Sequence, residues 1–336
     1  MSTLTPAARP ASIRDVAKVA GVSHQTVSRV LNNHVSIRDE TRDRVLAAMA
    51  ELQYRPSAAA RALSTSRSKT IGVLASRRAT YGPSRSIQAI EEAARERGYF
   101  VTSSSVSEPD EASLRAAVAN LIDQDIEALV VIAPQQRVFE TIADLAPRVP
   151  YITMRALATG DPTALRVDEI AGARLATRHL IELGHESIGH IAGPRDWIEA
   201  EARMQGFLQE LTAQDLPVAV PVLGDWTADF GYRAGMQLLR WRDITAYFCS
   251  NDAMAIGLMH AARDLGLDVP GDVSIIGYDD VPEAAHLWPP LTTVRQDFAE
   301  MGRRCITTLL GDGGGEQPAP LLPELVLRAT TAPRRA

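Results

Sequence analysis

The chain is poor in several things, and each shortage excludes something. It has only two cysteines, Cys249 and Cys305, far apart and inside apolar stretches. That excludes a disulfide scaffold and a cysteine-based zinc site, and it fits a reducing compartment. Lysine is almost absent, at Lys18 and Lys69 only, so no glycine-rich phosphate loop ends in the lysine it needs. No run of 18 apolar residues exists, so no membrane-spanning helix is expected. The first thirty residues carry Arg9, Arg14, Asp15 and Lys18 and lack the apolar core of a signal peptide. There is no G-x-S-x-G and no H-E-x-x-H. The GDGGGE run at 311–316 neither follows a strand nor opens a helix, so it fails as a dinucleotide fingerprint. No cofactor is therefore expected, and no enzyme.

What is present is two kinds of chain. The 336 residues carry a net charge of −6, but the sign is uneven. Residues 1–70 hold eleven Lys/Arg against five Asp/Glu, whereas the rest holds 24 against 36. A basic head on an acidic body suggests an anionic partner for the head, nucleic acid before others.

The head reads as three short helices. Ser12 can cap the first, with Asp15 near its positive end and Gly21 closing it. Ile13, Val16, Ala17 and Ala20 share one face. Ser23 caps the second, whose apolar face is Val27, Val30 and Leu31. Three residues between them leave room only for a tight helix–turn–helix. The third runs from about Asp39 to Leu52, with Val45, Leu46, Met49 and Leu52 expected inward, and Tyr54-Arg55-Pro56 stops it. A polar face remains on the second helix: His24, Gln25, Thr26, Ser28 and Arg29. Gln can pair with adenine and Arg with guanine in the major groove. The plainer alternative is a small three-helix domain with a solvated face.

Residues 57–63 (SAAARAL) form a helix-capable linker too short to be stable alone, followed by a Ser/Thr/Arg-rich joint. The expected division is therefore 1–56, 57–69 and 70–336. From Thr70 onward short apolar runs alternate with amphipathic helices: TIGVLA, a helix over about 85–98, YFVTSS, IEALVVIAP, VPYITM, a helix over about 168–183, SIGHIAGP and SIIGYDD. Strands alternating with helices predict parallel sheets. About 260 such residues fit two α/β lobes with a ligand cleft at the strand carboxyl ends better than one sheet. The chain is expected to cross between lobes near 168 and 297. His179, His185 and His190 have spacings that put no two on one helix face, so they read as structural and not as metal ligands.

Several stretches together resemble the lactose/galactose repressor (LacI/GalR) family. They are IRDVAKVAGVSHQTVSRVLN (13–32), TRDRVLAAMAELQYRPS (41–57), IGVLAS (71–76), HLIELGHESIGHIAGP (179–194), GDW (224–226), SNDAMAIG (250–257), DVSIIGYDD (272–280) and PPLTTVRQDF (289–298). They occur in family order over about residues 12–332, and their wording is closest to the lactose-responsive branch.

The resemblance implies a helix-turn-helix head joined to a two-lobed, periplasmic-binding-protein-like body. It implies a homodimeric, cytoplasmic, nucleoid-associated transcription regulator, a repressor, reading a pseudo-palindromic DNA operator. Gln25 and Arg29 match base-facing positions. Arg14, Arg55 and Arg61 match phosphate contacts. Residues 57–63 match a hinge helix that folds on DNA, with Ala60 at its contact face and Leu63 as the minor-groove wedge. Ser76, Arg203, Trp226, Asn251, Asp279, Gln296 and Phe298 match effector-contacting positions, Trp226 as a stacking plate. Asn251 and Asp279 could equally be a helix cap and a turn cap.

Four residues depart from that branch. His24 replaces a tyrosine, which implies a different half-site, and Ser57 an asparagine. Arg155 replaces an aspartate and Ile132 an asparagine of the pocket. Either Arg155 suits a sugar carrying a carboxylate or phosphate, or an acceptor-rich ligand, or it pairs with Asp279 or Glu169 and closes the cleft. No leucine heptads follow the body, so a dimer is expected. The competing functions are a transported-sugar binding protein, which needs an export signal and no head, a sugar-active or nucleotide-dependent enzyme, which needs a catalytic acid/base pair or a cofactor loop, and a regulator answering to a phosphoprotein, which a pull-down from lysate would favour.

Overall fold

The computed structural model describes residues 11–31, 34, 36–54, 67–76, 81–106, 110–133, 135–145, 149–155, 164–311 and 319–335, with the side chains of Ser76, Gln136, Arg137, Ala143 and Arg155 excepted. Internal contacts divide the chain into two units, Met1–Lys69 and Thr70–Ala336.

In the first unit α1 (Ile13–Ala20), α2 (His24–Leu31) and α3 (Asp39–Glu51) close on one small core. Ser12 and Asp15 form a reciprocal capping box, and Gly21 takes the left-handed conformation (φ 64°) that ends α1. The Ser23 hydroxyl accepts from the Thr26 backbone N–H at 3.1 Å and caps α2. Val16, Ala17, Ala20, Val27, Val30, Val45 and Ala48 fill the core, with Ile13, Leu31, Met49 and Leu52 at its margin. Leu46 is a correction: it is 50% exposed. Val45, Ala48, Met49 and Leu52 keep the i, i+3, i+4, i+7 spacing of one stripe, and Leu46 lies about 100° round from Val45.

The second unit holds two lobes. The first has a five-stranded parallel sheet in the order β2-β1-β3-β4-β5. Its strands are β1 (Thr70–Ser76), β2 (Phe100–Val106), β3 (Ala128–Ile132), β4 (Tyr151–Arg155) and β5 (Ala164–Arg166). Side chains alternate as strand geometry requires. Ile71, Val73, Val130 and Ile132 pack on one face, below α4 (Tyr81–Glu96) and the returning α11 (Phe298–Leu309). Leu74, Leu129 and Val131 pack on the other, below α5 (Glu111–Ile122) and α6 (Gln136–Leu145).

The second lobe repeats the plan. Its strands are β6 (Ile188–Ala192), β7 (Val222–Leu223), β8 (Ala246–Cys249), β9 (Ser274–Tyr278), β10 (Thr292–Arg295) and β11 (Glu324–Val326), in the order β11-β10-β9-β8-β6-β7. All pairs are parallel except β10–β11. The helices α7 (Glu169–Glu182) and α8 (Ile198–Ala213) cover one face. The other face carries α9 (Ala228–Leu238) and α10 (Asp252–Asp264). In both sheets the strand order reverses beside the first strand, between β1 and β3 and between β6 and β8. Such reversals open crevices at strand carboxyl ends.

The chain passes between lobes after β5, where Asp168 caps α7, and before α11, which Asp297 caps. A third passage follows Leu321, which bridges to Val167, and leads into β11. The three histidines have separate partners. His179 meets the Thr331 hydroxyl at 3.0 Å, His185 meets Thr245 and Ser274, and His190 is stacked between Phe207 and Phe248. Burial pulls His190 down to about 4. Among the described residues no helix is long and apolar enough to cross a membrane.

Candidate functional site

Two sites emerge, one per unit. In the head, Arg14, His24, Gln25 and Arg29 are exposed, while Thr26 and Ser28 are half-buried. The cause is helical geometry: Val27 and Val30 are committed to the core, which turns their polar neighbours outward. Thr26 is partly spent on the cap, its hydroxyl 2.9 Å from that of Ser23. Arg55, Ala60, Arg61 and Leu63, the whole 57–63 segment, the first ten residues and most of the GDGGGE run lie outside the described residues.

In the body, a cleft of ≈ 760 Å³, counting its open mouth, lies between the lobes. Both switch points feed it. From the second lobe come Arg203 on α8, Trp226, Asn251 after β8, Asp279 after β9 and Gln296 after β10. Phe298 closes it from α11. Six of the eight expected effector positions thus share one cavity. The side chains of the other two, Ser76 and Arg155, are not among those described.

Arg203 organises the polar wall. Its Nε donates to Glu169 at 2.9 Å, one terminal nitrogen donates to the Ser250 carbonyl at 2.5 Å, and the other reaches Asp279 at 3.4 Å. Its guanidinium lies 3.8 Å from the Tyr278 ring centroid. Burial opposes its charge, but Glu169 and Asp279 more than offset that and keep it protonated. Gln296 donates to the same Asp279 oxygen at 3.1 Å. Burial, against the pull of Arg203, lifts Asp279 to about 6. Asn251 serves the cap: its oxygen accepts from the Met254 N–H at 2.9 Å, and its amide nitrogen donates to the Trp226 carbonyl at 3.0 Å.

Trp226 sits at φ 70° and Asp279 at φ 105°, positions that L-residues rarely occupy. The indole of Trp226 packs on Gly193, where a Cβ would overlap the ring. Trp197 also neighbours it, 5.4 Å away between centroids and tilted by 58°, and the Arg203 guanidinium lies 5.7 Å from the Trp226 ring centroid.

Sequence reasoning missed Trp197 and Glu199 as lining residues, together with the apolar Met154, Leu165, Val167 and Met301. Glu199 had one signal: it stands four residues before Arg203 on the same helix, and therefore on the same face. Burial, reinforced by Glu169 and Asp279 and opposed by its own backbone N–H and by Arg203, raises it to about 7.

Residues 12–57 match the family described as bacterial regulatory proteins, lacI family. Residues 177–331 match the periplasmic binding protein-like domain. The chain is 36% identical to the lactose operon repressor of Escherichia coli K12, over 96% of this chain and 91% of that one. It is 37% identical to the HTH-type transcriptional repressor PurR of Serratia proteamaculans, over 89% of each. Among solved structures it matches the lac repressor dimer bound to operator and the anti-inducer ONPF, with a TM-score of 0.88 and 35% identity over 96% of this chain and all of that one. It also matches the transcriptional regulator CelR in complex with cellobiose, with a TM-score of 0.68 and 29% identity over 95% and 99%. With the head and body both accounted for, the chain belongs to the LacI family: it is a DNA-binding transcriptional repressor with an effector-binding domain, and not an enzyme.

Proposed function

We propose that operator affinity in this repressor is set by a small carbohydrate-type effector held between the two lobes of a homodimer's body. The observation that carries the reading is the cleft itself. It sets charged and amide groups (Arg203, Asp279, Gln296) at strand ends beside an indole, the pairing of directed hydrogen bonds and flat apolar surface that a sugar ring needs. Relatives bound to cellobiose and to ONPF support it.

In the head, Gln25 and Arg29 read base edges, with His24 and Ser28 beside them and Thr26 holding the helix start. Arg14, Arg55 and Arg61 hold phosphates, and Ala60 and Leu63 act through the 57–63 hinge. A ligand that prefers one arrangement of the lobes shifts the population toward it. The change in DNA affinity is bounded by that preference.

The test is fluorescence anisotropy of a labelled pseudo-palindromic duplex from upstream of the gene, with neutral, acidic and phosphorylated sugars and nucleobases each added. A sugar that changes the DNA affinity supports the proposal; a response to nucleobases alone overturns the carbohydrate class. Gln25→Ala or Arg29→Ala should cost about 1–3 kcal/mol on the cognate duplex and relax specificity. Arg14→Ala should weaken all duplexes alike and flatten the salt dependence. Equal losses on cognate and random DNA for the first two would remove their base-reading role.

A further inference from the structure

Two residues that line the cleft each hold a buried polar atom with no partner among the described residues: Oε2 of Glu199 and Nε1 of Trp226. Their demands are opposite. The carboxylate oxygen needs a donor, and the indole N–H needs an acceptor. Nearby Arg203 does not serve Glu199, because its guanidinium is engaged by Glu169, Asp279 and the Ser250 carbonyl. Leaving such groups dry and unpaired is costly, and in residues that line a ligand cavity a ligand atom can supply the missing partner.

Charge points the same way. Among the described side chains lining the cleft there are three carboxylates, Glu169, Glu199 and Asp279, and one guanidinium, Arg203. The Arg203 network accounts for Glu169 and Asp279 and leaves Glu199 over. Trp197 and Trp226 line the same cavity with their indoles tilted by 58°, and indole faces attract cations, as the Arg203 guanidinium 5.7 Å from the Trp226 ring illustrates.

We propose that the effector carries a protonated amine that pairs with Glu199 and an oxygen that accepts from the Trp226 indole N–H, which makes it an amino sugar. The inference rests on the reading of the cleft as a carbohydrate site and narrows it. An ammonium at Glu199 also answers the burial that otherwise favours its neutral form, since it supplies the opposite charge that burial removes.

The experiment is isothermal titration calorimetry on the full chain. Glucosamine, galactosamine and the glucosamine dimer are each compared with glucose, galactose and cellobiose, and with glucuronate and galacturonate. An amino sugar should bind about tenfold or more tighter than its hydroxyl parent, the gain from a charge-assisted hydrogen bond. In Glu199→Gln that preference should fall to within about twofold, because the amide keeps the shape and loses the charge. If that variant fails to fold, which its thermal melt will reveal, Trp226→Phe tests the second contact and should weaken the amino sugar.

Neutral or acidic sugars binding as well as amino sugars overturn the inference while the carbohydrate reading stands. No binding by any sugar overturns both. A preference that survives Glu199→Gln places the amine elsewhere and overturns the assignment to Glu199.

Discussion

The two lobes share a strand order, yet among the described side chains the charged groups of the cleft between them all come from the second. The first lobe offers Ile132, Ala133, Met154, Leu165, Phe298 and Met301. The second offers Glu169, Glu199, Arg203, Asn251, Asp279 and Gln296 beside the indoles of Trp197 and Trp226. The unusual backbone follows the polar side: Trp226, Asp279 and Asp280 have positive φ, and no first-lobe residue lining the cleft does among those described. Among the described side chains the first-lobe wall is thus mainly apolar, with Ser86 as its polar member. The other is a prearranged set of charges, with Asp279 held at positive φ. Architecture places both walls, and the residues at the strand ends make them differ.

The contrast breaks most severely at Arg203. Arg203→Met removes the one described cation of the polar wall and leaves Glu169 and Asp279 buried without it. The loss should be about 3–5 kcal/mol of stability, measured by urea unfolding of the body. A loss under about 1 kcal/mol would mean that the network is far wetter than its burial indicates. On the apolar wall, Met301→Ala should cost about 2 kcal/mol, the low end for a core truncation, because one side of the methionine faces open space. If it costs as much as Arg203→Met, the first lobe is no mere platform. Gly193→Ala tests how tightly the polar wall is preset. Its Cβ would collide with the Trp226 ring, and overpacking of this kind costs about 1–3 kcal/mol. The indole emission should shift as the ring moves.

How far these walls were legible in sequence follows the same divide. Asp279 and Asn251 could be placed because a strand's end is visible as the stop of an apolar run. The Ser12 cap and the Gly21 stop were equally visible, being local chemistry. Leu46 was misread because an apolar residue next to a stripe looks like part of it until the helix phase is fixed by contacts. Glu199 and Trp197 were missed for a tertiary reason. Read along the chain, a glutamate on an amphipathic helix is a solvated face. Here the adjacent Ile198 packs into the core of the other lobe, and that docking takes its neighbours out of water. The third passage between lobes leads into the three-residue β11, too short for any periodicity to announce.

The smallest effect is also the most diagnostic, because it separates the two walls by proton count. Glu199 is raised to about 7, with Glu169 on α7, Arg203 on its own helix and Asp279 after β9 as the charged groups named around it. A carboxyl whose folded value exceeds its unfolded one binds more protons folded than unfolded. Its contribution is therefore complete below about 4.5 and is lost as pH rises through about 7. His190 has the opposite sign. Its value is lowered to about 4 by burial, so its contribution is complete above about 6.5 and is lost as pH falls toward 4. Stability measured by urea unfolding from pH 4.5 to 8 should show both slopes. Glu199→Gln should remove about one proton from the falling limb between pH 5 and 7 and leave the acid limb due to His190 in place. Substitution of an apolar-wall residue such as Met301 should lower the curve without changing either slope. If Glu199→Gln leaves the falling limb intact, the carboxyl is solvated in the free protein, and the polar wall is assembled only when a ligand closes it.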